Sequence, residues 1–391
     1  MSSYQPHSVL PSATGPGAVA LADSALELAR TVLVRGPVSR GELARELKLS
    51  VASLTRLSKP LLDAGLLMEG DLVADGTVGR PVRLVDIRSG SKHFLGVKVT
   101  GTFLQAVVTD LRATIVAEQT LDLAETSVET VVDGVKGLAR DLEARAKVTL
   151  AGVGVSLGGQ VLANGVVHRA PFMEWQDVPL GELLAGALSL PVVVDNDVSA
   201  LAAAEQWFGA GRYADDLAVI TVGAGVGYGL VMRGQVMRTI DTGLGLGGHI
   251  PLDPNGPLCM DGHRGCSTAM LAIPGICAQI SAALGHTVDY GQALELVRDG
   301  NKVALAVFSS AARALGRLVA LAANLAMVGT VVLGGEGIEL FTVMEDTVRE
   351  AVVADRDPEA APLNLVVMSA DFTQWARGAA AVAIQAQAFV C

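Results

Sequence analysis

The sequence predicts a mixed α/β protein, an N-terminal winged helix-turn-helix followed by a two-lobed, duplicated α/β domain. Apolar residues recur at helical spacing from Ala25 to about Leu67, and turn residues divide that stretch into three short helices. From His93 onward strand-like runs alternate with amphipathic helices, and the same order starts again after residue 190. A chain of 391 residues is too long for one ordinary domain and has ample length for more than one core.

Residues 1–20, MSSYQPHSVLPSATGPGAVA, are rich in Ser, Pro and Gly, and are expected to form a disordered tail. They lack a charged start followed by an apolar core, so neither a secretory signal nor a transit peptide is expected.

The winged helix-turn-helix is expected over residues 21–88. Gly36-Pro37 ends the first helix, whose apolar stripe is Leu26, Ala29, Val32 and Leu33. Ser39-Arg40-Gly41-Glu42 has the Ser-x-x-Glu form of a capping box and starts the second helix. Leu49 is the turn residue, and Ser50 caps the third helix. Away from its leucines that helix carries Ser53, Thr55, Arg56 and Lys59, short polar and basic groups suited to base edges and phosphates. Pro60 lacks an N–H and is expected to kink or loosen the turn before it. LLMEGDLVADGTVGRPVRLVDI then reads as a β-hairpin, the wing, with Arg80 and Arg83 placed to brush DNA. One such unit binds weakly, so a dimer or higher homo-oligomer reading repeated half-sites is expected.

Charge agrees with that placement. The net charge is −11, yet residues 21–90 hold ten Lys/Arg against nine Asp/Glu, while residues 91–391 hold 19 against 31. A polyanion meets the N-terminal part more readily. No unbroken apolar run reaches the roughly 18 residues of a membrane span, so no membrane partner is expected. Four cysteines, Cys259, Cys266, Cys277 and Cys391, are too few for a disulfide framework and fit a reducing cytoplasm, with a nucleoid-associated location for a DNA binder.

The second domain is expected over residues 92–391. FLGVKVTG, FLQAVVTD and TIVAEQTL read as neighbouring strands, VETVVDGVKGLARDLEARA as a helix and TLAGVGVSL as a further strand. After residue 190, LPVVVDND is a strand ending in acidic residues, VSALAAAEQWFGAG a helix, and LAVITVGAGVGYGLVMRGQVM a Gly-rich hairpin.

In order, AGVGVSLGGQV, RAPFMEW, LPVVVDNDVSALAAAE, VGAGVGYGLVMRGQV, GGHIPL, CMDGHRGC and VVLGGEGIEL resemble the ROK family of repressors, open reading frames and sugar kinases. The resemblance covers residues 93–391 and implies an actin-like, ribonuclease-H-like fold. Lobe one would take about 92–195 plus a C-terminal helix at about 373–391, and lobe two about 196–372. A winged helix ahead of such a domain resembles the family's transcriptional regulators, many of them repressors of sugar metabolism. Double-stranded operator DNA and a sugar or sugar-derived effector are the partners this implies.

The family's kinases supply the measure for catalysis. Asp197, in Asp195-Asn196-Asp197, matches their catalytic base and could equally start a helix. Where they carry Asp-x-Gly-Gly-Thr, this chain has Lys98-Val99-Thr100-Gly101-Thr102. An ammonium cannot hold magnesium, which takes oxygen ligands. Gly223-Ala224-Gly225-Val226-Gly227 and Gly334-Gly335-Glu336-Gly337 could pass near a nucleotide, although glycines in tight turns have backbone reasons of their own. Leu246 and Thr268 stand where the family has sugar-binding glutamates. Each lost charged hydrogen bond costs about 1.5–3 kcal/mol, so an ordinary hexose site would be weakened. No sugar-kinase activity and no ATP requirement are expected. Asn196, Asp197 and His249 are the effector candidates. The alternatives are an ATP-dependent sugar kinase with an appended DNA-binding domain, and an interaction protein that binds a partner through its acidic lobes.

GHIPLDPNGPLCMDGHRGC, residues 248–266, resembles the family's zinc clip of one histidine and three cysteines. His249, Cys259 and Cys266 keep their places, and Asp261 replaces the middle cysteine. A structural zinc with His249, Cys259, Asp261 and Cys266 as ligands is expected, weaker than a thiolate-rich site. His263 is expected to be an exposed loop residue.

Overall fold

The computed structural model describes residues 23–73 and 82–389; the expected tail, Arg80 and Cys391 lie outside the described residues. The N-terminal unit runs α1 (Asp23–Arg35), β1 (Val38–Ser39), α2 (Arg40–Glu46), α3 (Val51–Asp63), β2 (Leu67–Val73) and β3 (Val82–Ile87). Its sheet has the order β1-β3-β2, with Leu67 opposite Ile87 and Val73 opposite Val82. The capping box forms: Ser39 Oγ accepts from the Glu42 N–H at 3.2 Å, and Glu42 accepts from the Ser39 N–H at 2.9 Å. Ser50 caps α3 by accepting from the Ser53 N–H at 3.1 Å.

Two features differ from the sequence expectations. Helix α3 continues through Pro60 to Asp63. The missing N–H would have met the carbonyl of Arg56, an exposed residue whose carbonyl water can satisfy, so the cost is low enough for packing of Leu54 and Leu61 to hold the helix. Strand β1, only two residues long, has no sequence signal of its own and exists by pairing Val38 with Val85.

Lobe one contains β4 (His93–Val99), β5 (Phe103–Thr109), β6 (Ile115–Asp122), α4 (Val128–Ala146), β7 (Leu150–Leu157), a small sheet of β8 (Gln160–Val161), β9 (Val167–Ala170) and β10 (Trp175–Val178), then α5 (Leu180–Leu188) and β11 (Val192–Asn196). The main sheet has the order β11-β7-β4-β5-β6. Strands β4, β5 and β6 form an antiparallel meander, and β7 and β11 add in parallel on the far side of β4.

Lobe two repeats this plan. After α6 (Asp197–Phe208) come β12 (Leu217–Val222), β13 (Val226–Met232), β14 (Gln235–Val236), α7 (Ser267–Leu271), α8 (Ile273–Leu284), α9 (Tyr290–Arg298), α10 (Lys302–Ala326), β15 (Thr330–Gly334), α11 (Glu339–Val343), α12 (Glu345–Ala354) and β16 (Asn364–Val367). The sheet order is β14-β13-β12-β15-β16, the lobe-one order with its strands renumbered, so the duplication read from the sequence is present in the topology. The 25-residue α10 is long and apolar enough to cross a membrane, but Phe308, Leu315 and Val319 on it are core residues of lobe two.

The chain returns to lobe one through α13 (Thr373–Gln387). Gly96 and Gly154 face each other on β4 and β7, and a Cβ on either would collide with the α13 backbone at Ala376 to Ala380. Paired glycines beneath an alanine-rich helix give the close approach. The N-terminal unit does not hang free: Leu28, Leu33, Leu43 and Leu54 share one core with Phe94, Leu111, Trp207 and Ile384 of the second domain.

Candidate ligand cleft and metal cluster

In open sheets with parallel strands, ligands bind beyond the strands' carboxyl ends. In lobe one those ends carry Lys98 on β4, Gly158 after β7 and Asp195-Asn196 on β11, followed at once by α6. Asn196 fixes the helix start. Its Oδ1 accepts from the Val198 and Ser199 N–H groups at 3.0 and 3.1 Å, and its Nδ2 donates to the Gly159 carbonyl at 3.0 Å. Asp197 thereby becomes the first residue of α6.

Both carboxylate oxygens of Asp197 are engaged. Its Oδ1 accepts from the Val198 N–H at 2.9 Å, and its Oδ2 is ion-paired with Lys98 Nζ. Lys98 is 6% exposed, and its ammonium lies 4.9 Å from the centre of the Trp375 ring on α13, a cation–π contact. Beside the pair, Asp195 Oδ2 meets Arg238 at 2.6 Å. Phe172 is 64% exposed, and its ring flanks Gly158 near the carboxylate of Asp197.

The lobe-two rim is pinned by hydroxyls. Thr268 Oγ1 donates to the Gly248 carbonyl at 2.7 Å, and Ser267 Oγ to the Gly247 carbonyl at 2.5 Å. Leu246 is 68% exposed. The β12–β13 turn presents backbone N–H groups of the kind that cradle phosphate. Here the Ala224 N–H donates to Glu336 Oε1 at 2.8 Å, and a Cβ at Gly223 would strike the Glu336 carboxyl group. Sequence reasoning missed this role of Glu336; its signal was a carboxylate interrupting a run of glycines.

The GHIPL…GHRGC loop gathers five polar side chains. His249 Nδ1 lies 3.8 Å from Cys259 Sγ and 3.7 Å from Cys266 Sγ, and Cys259 Sγ lies 3.6 Å from His263 Nδ1. Asp261 Oδ2 is on the other side of the His249 ring, 3.4 Å from Nε2. Ligand atoms of His249, Cys259, Asp261 and His263 all fall within 4.8 Å of one another. With metal–ligand distances of about 2.0–2.3 Å, tetrahedral neighbours lie about 3.3–3.8 Å apart, a spacing matched by the separations of Cys259 and Cys266 from His249 Nδ1 and of Cys259 from His263 Nδ1. Burial pushes the Cys266 thiol up. Burial acts the same way on Cys259 but is outweighed by hydrogen bonds from His263 and the Asp261 backbone, which hold its thiol below its ordinary value.

The DNA-facing candidates divide into two groups. Arg56 and Lys59 are exposed on α3 and make no ion pair among the described residues. Ser50 and Ser53 bond each other at 3.0 Å, and Thr55 donates to the Val51 carbonyl at 2.9 Å. Arg83 is ion-paired at 2.9 Å with Glu69, which also meets Arg40 at 2.5 Å, tying β2 and β3 to α2.

Comparison with known proteins adds relatives to this geometry. The ROK family profile matches residues 94–386. The chain is 27% identical over 333 residues to the DNA-binding transcriptional repressor Mlc of Escherichia coli, covering 81% of this chain and 82% of Mlc. It is 32% identical over 362 residues to the transcriptional regulator Rv0485 of Mycobacterium tuberculosis, covering 87% of this chain and 80% of that regulator. A crystal structure of a ROK family transcriptional regulator, a homologue of the E. coli protein, superposes with a TM-score of 0.78 at 24% identity over 94% of this chain and 97% of that one. A ROK glucokinase of Streptomyces griseus with glucose and AMPPNP superposes with a TM-score of 0.65 at 25% identity, over 75% of this chain and 99% of that one.

Proposed function

The chain belongs to the ROK family, and from that membership we propose that it is a DNA-binding transcriptional regulator, a repressor of carbohydrate-related genes, whose two-lobed domain senses an effector and does not phosphorylate sugars. The observation that carries the loss of catalysis is the Lys98–Asp197 pair. A kinase base must accept the proton of the substrate hydroxyl. Both oxygens of Asp197 are already engaged, one by an ammonium that stands where the family's kinases carry a carboxylate. Glu336 places a second obstacle, because its negative charge occupies an N–H of the glycine turn and repels an incoming phosphate.

The sensing path runs along α6. Its first residue is Asp197 in the cleft, and its last turn carries Trp207 and Phe208, which pack with the winged-helix core. Twelve residues span about 18 Å at 1.5 Å per residue, so one rigid helix joins the two regions. A sugar-derived effector bearing a hydroxyl beside an anionic group would have to open the Lys98–Asp197 pair, its anion taking Lys98 and its hydroxyl Asp197, and would thereby press on the start of that helix.

Zinc, when bound, supplies a structural staple for the loop from Gly248 to Cys266 and no open catalytic position. His249 Nδ1, Cys259, Cys266 and His263 Nδ1 would hold it, with His263 taking the fourth place that sequence order gave to Asp261. Asp261 would hold the His249 ring from Nε2, as outer carboxylates commonly do.

Arg56 and Lys59 on α3, aided by Arg83 and Arg80 of the wing, would contact DNA, and a homodimer or homotetramer would read repeated half-sites. Genome-wide mapping of DNA bound by the chain tests the proposal. A small set of sites containing repeated half-sites near carbohydrate genes is expected; no enrichment over unbound chromosome would refute it.

A further inference from the structure

Outside the cleft, an open cavity of about 560 Å³ lies between α1 and the second domain. Its walls include Leu33, Trp207 and Phe208, and three guanidinium groups, Arg112, Arg212 and Arg377. We propose that this interdomain cavity binds a phosphate ester of a small metabolite.

The charge is local and only partly compensated. In a chain of net charge −11, three arginines share one cavity. Asp86 neutralises Arg112. Arg212 and Arg377 form no ion pair with any described carboxylate. The nearest acidic influence on Arg377 is Glu205, whose own carboxylate accepts from the Ala210 N–H at 3.0 Å. Burial holds the Arg377 guanidinium below its ordinary proton affinity, so an anion within reach is favoured. Two guanidinium groups without a direct ion pair among the described residues suit a phosphate monoester, which carries about −1.5 to −2 at neutral pH.

Some of the donors remain free. Arg212 spends Nε on the Val34 carbonyl at 2.8 Å, and its terminal nitrogens have no hydrogen-bond partner among the described residues. Arg377 is held by the Ala113 and Phe208 carbonyls at 2.9 and 3.3 Å. The two terminal nitrogens of Arg212 can give bidentate bonds to phosphate oxygens, and Arg377 adds charge and its remaining N–H groups. The volume falls within the usual range of about 300–1,000 Å³ for small-molecule sites and exceeds what a bare phosphate needs, leaving room for a body against Trp207 and Leu33.

The position gives occupancy a consequence. Arg112 donates to the Gly36 and Val32 carbonyls at 2.9 and 3.4 Å, and Arg212 to Val34, so both grip the end of α1. A phosphate that draws on Arg212 alters how the winged helix is held. That consequence rests on the function proposed above; anion binding does not.

The test is titration calorimetry on the full chain with glucose 6-phosphate and inorganic phosphate as probes, and glucose and citrate as comparisons. Binding of the phosphate probes, no binding of glucose, and a loss of about tenfold or more in Arg212→Gln are expected. Arg377→Lys, which keeps the charge and removes the fork, should weaken binding as well, and a thermal melt confirms that each variant is folded. Absence of phosphate binding, unchanged affinity in both folded variants, or equal binding of citrate would overturn the proposal. Operator gel shifts with and without glucose 6-phosphate then separate the two claims. Anion binding with unchanged operator affinity removes the coupling, whereas anion binding by a chain that never shifts DNA counts against the regulator and leaves the cavity site standing.

Discussion

Lys98 Nζ and Asp197 Oδ2 form an ion pair at the carboxyl edge of the lobe-one sheet, with side-chain exposures of only 8% and 13%. Desolvation makes such a pair costly to build and costlier to break from one side. Asp197→Asn should therefore destabilise the fold by about 3–5 kcal/mol, because the Lys98 charge is left buried without its partner. Lys98→Met combined with Asp197→Leu should recover most of that loss. Denaturant melts check both variants; an Asp197→Asn variant as stable as the parent would mean that the pair is not closed in solution.

Glu336 closes the glycine turn of lobe two by accepting from the Ala224 N–H. Glu336→Gly should free that N–H and the space above Gly223, and so produce measurable affinity for a non-hydrolysable ATP analogue that the parent lacks. Equal affinity in parent and variant would show that the carboxylate does not occupy a phosphate position.

Much of this was legible in the sequence. The helical period of Leu54, Leu57 and Leu61, the Ser39-x-x-Glu42 box and the alternating strands from Phe94 each arise from local chemistry, and each stands in the structure. The family resemblance located Lys98 and Asp197 in the same cleft but could not bond them, since the contact joins residues 99 positions apart. Glu336 and Ala224 are 112 apart, and Arg212 and Val34 are 178 apart. Charge partners at such separations are fixed by tertiary packing, which no local period encodes. The zinc loop was legible as a cluster, but the side of the His249 ring facing each donor depends on side-chain geometry.

Protein purified without chelator should carry about one zinc per chain. Asp261→Ala should lower zinc affinity by about 10–100-fold, the usual effect of removing an outer carboxylate, and His263→Ala should lower it further. Competition with a chromogenic chelator measures both. A larger loss in Asp261→Ala than in His263→Ala would return the fourth ligand to Asp261, and a metal content near zero would refute the staple.

Arg56 and Lys59 point away from the core on α3, without competing carboxylates among the described residues. Arg56→Ala should cost about 1–3 kcal/mol of operator affinity and relax specificity, while Lys59→Ala should weaken all sequences alike and lower the salt slope by about 1. Arg83→Ala should have a smaller effect, because Glu69 already engages that side chain. Gel shifts across a salt series distinguish the three; unchanged affinity in both α3 variants would mean that another element reads the DNA.

The most direct test of the central claim, a sugar-kinase domain turned to regulation, is a coupled assay of ADP release from ATP with a panel of hexoses and N-acetylhexosamines. The Lys98–Asp197 pair and the Glu336-filled turn predict no sugar-dependent turnover above the protein-free control. Sugar-dependent turnover above that control would contradict the account, and its loss in an Asp197→Asn variant that a melt shows to be folded would identify Asp197 as the base.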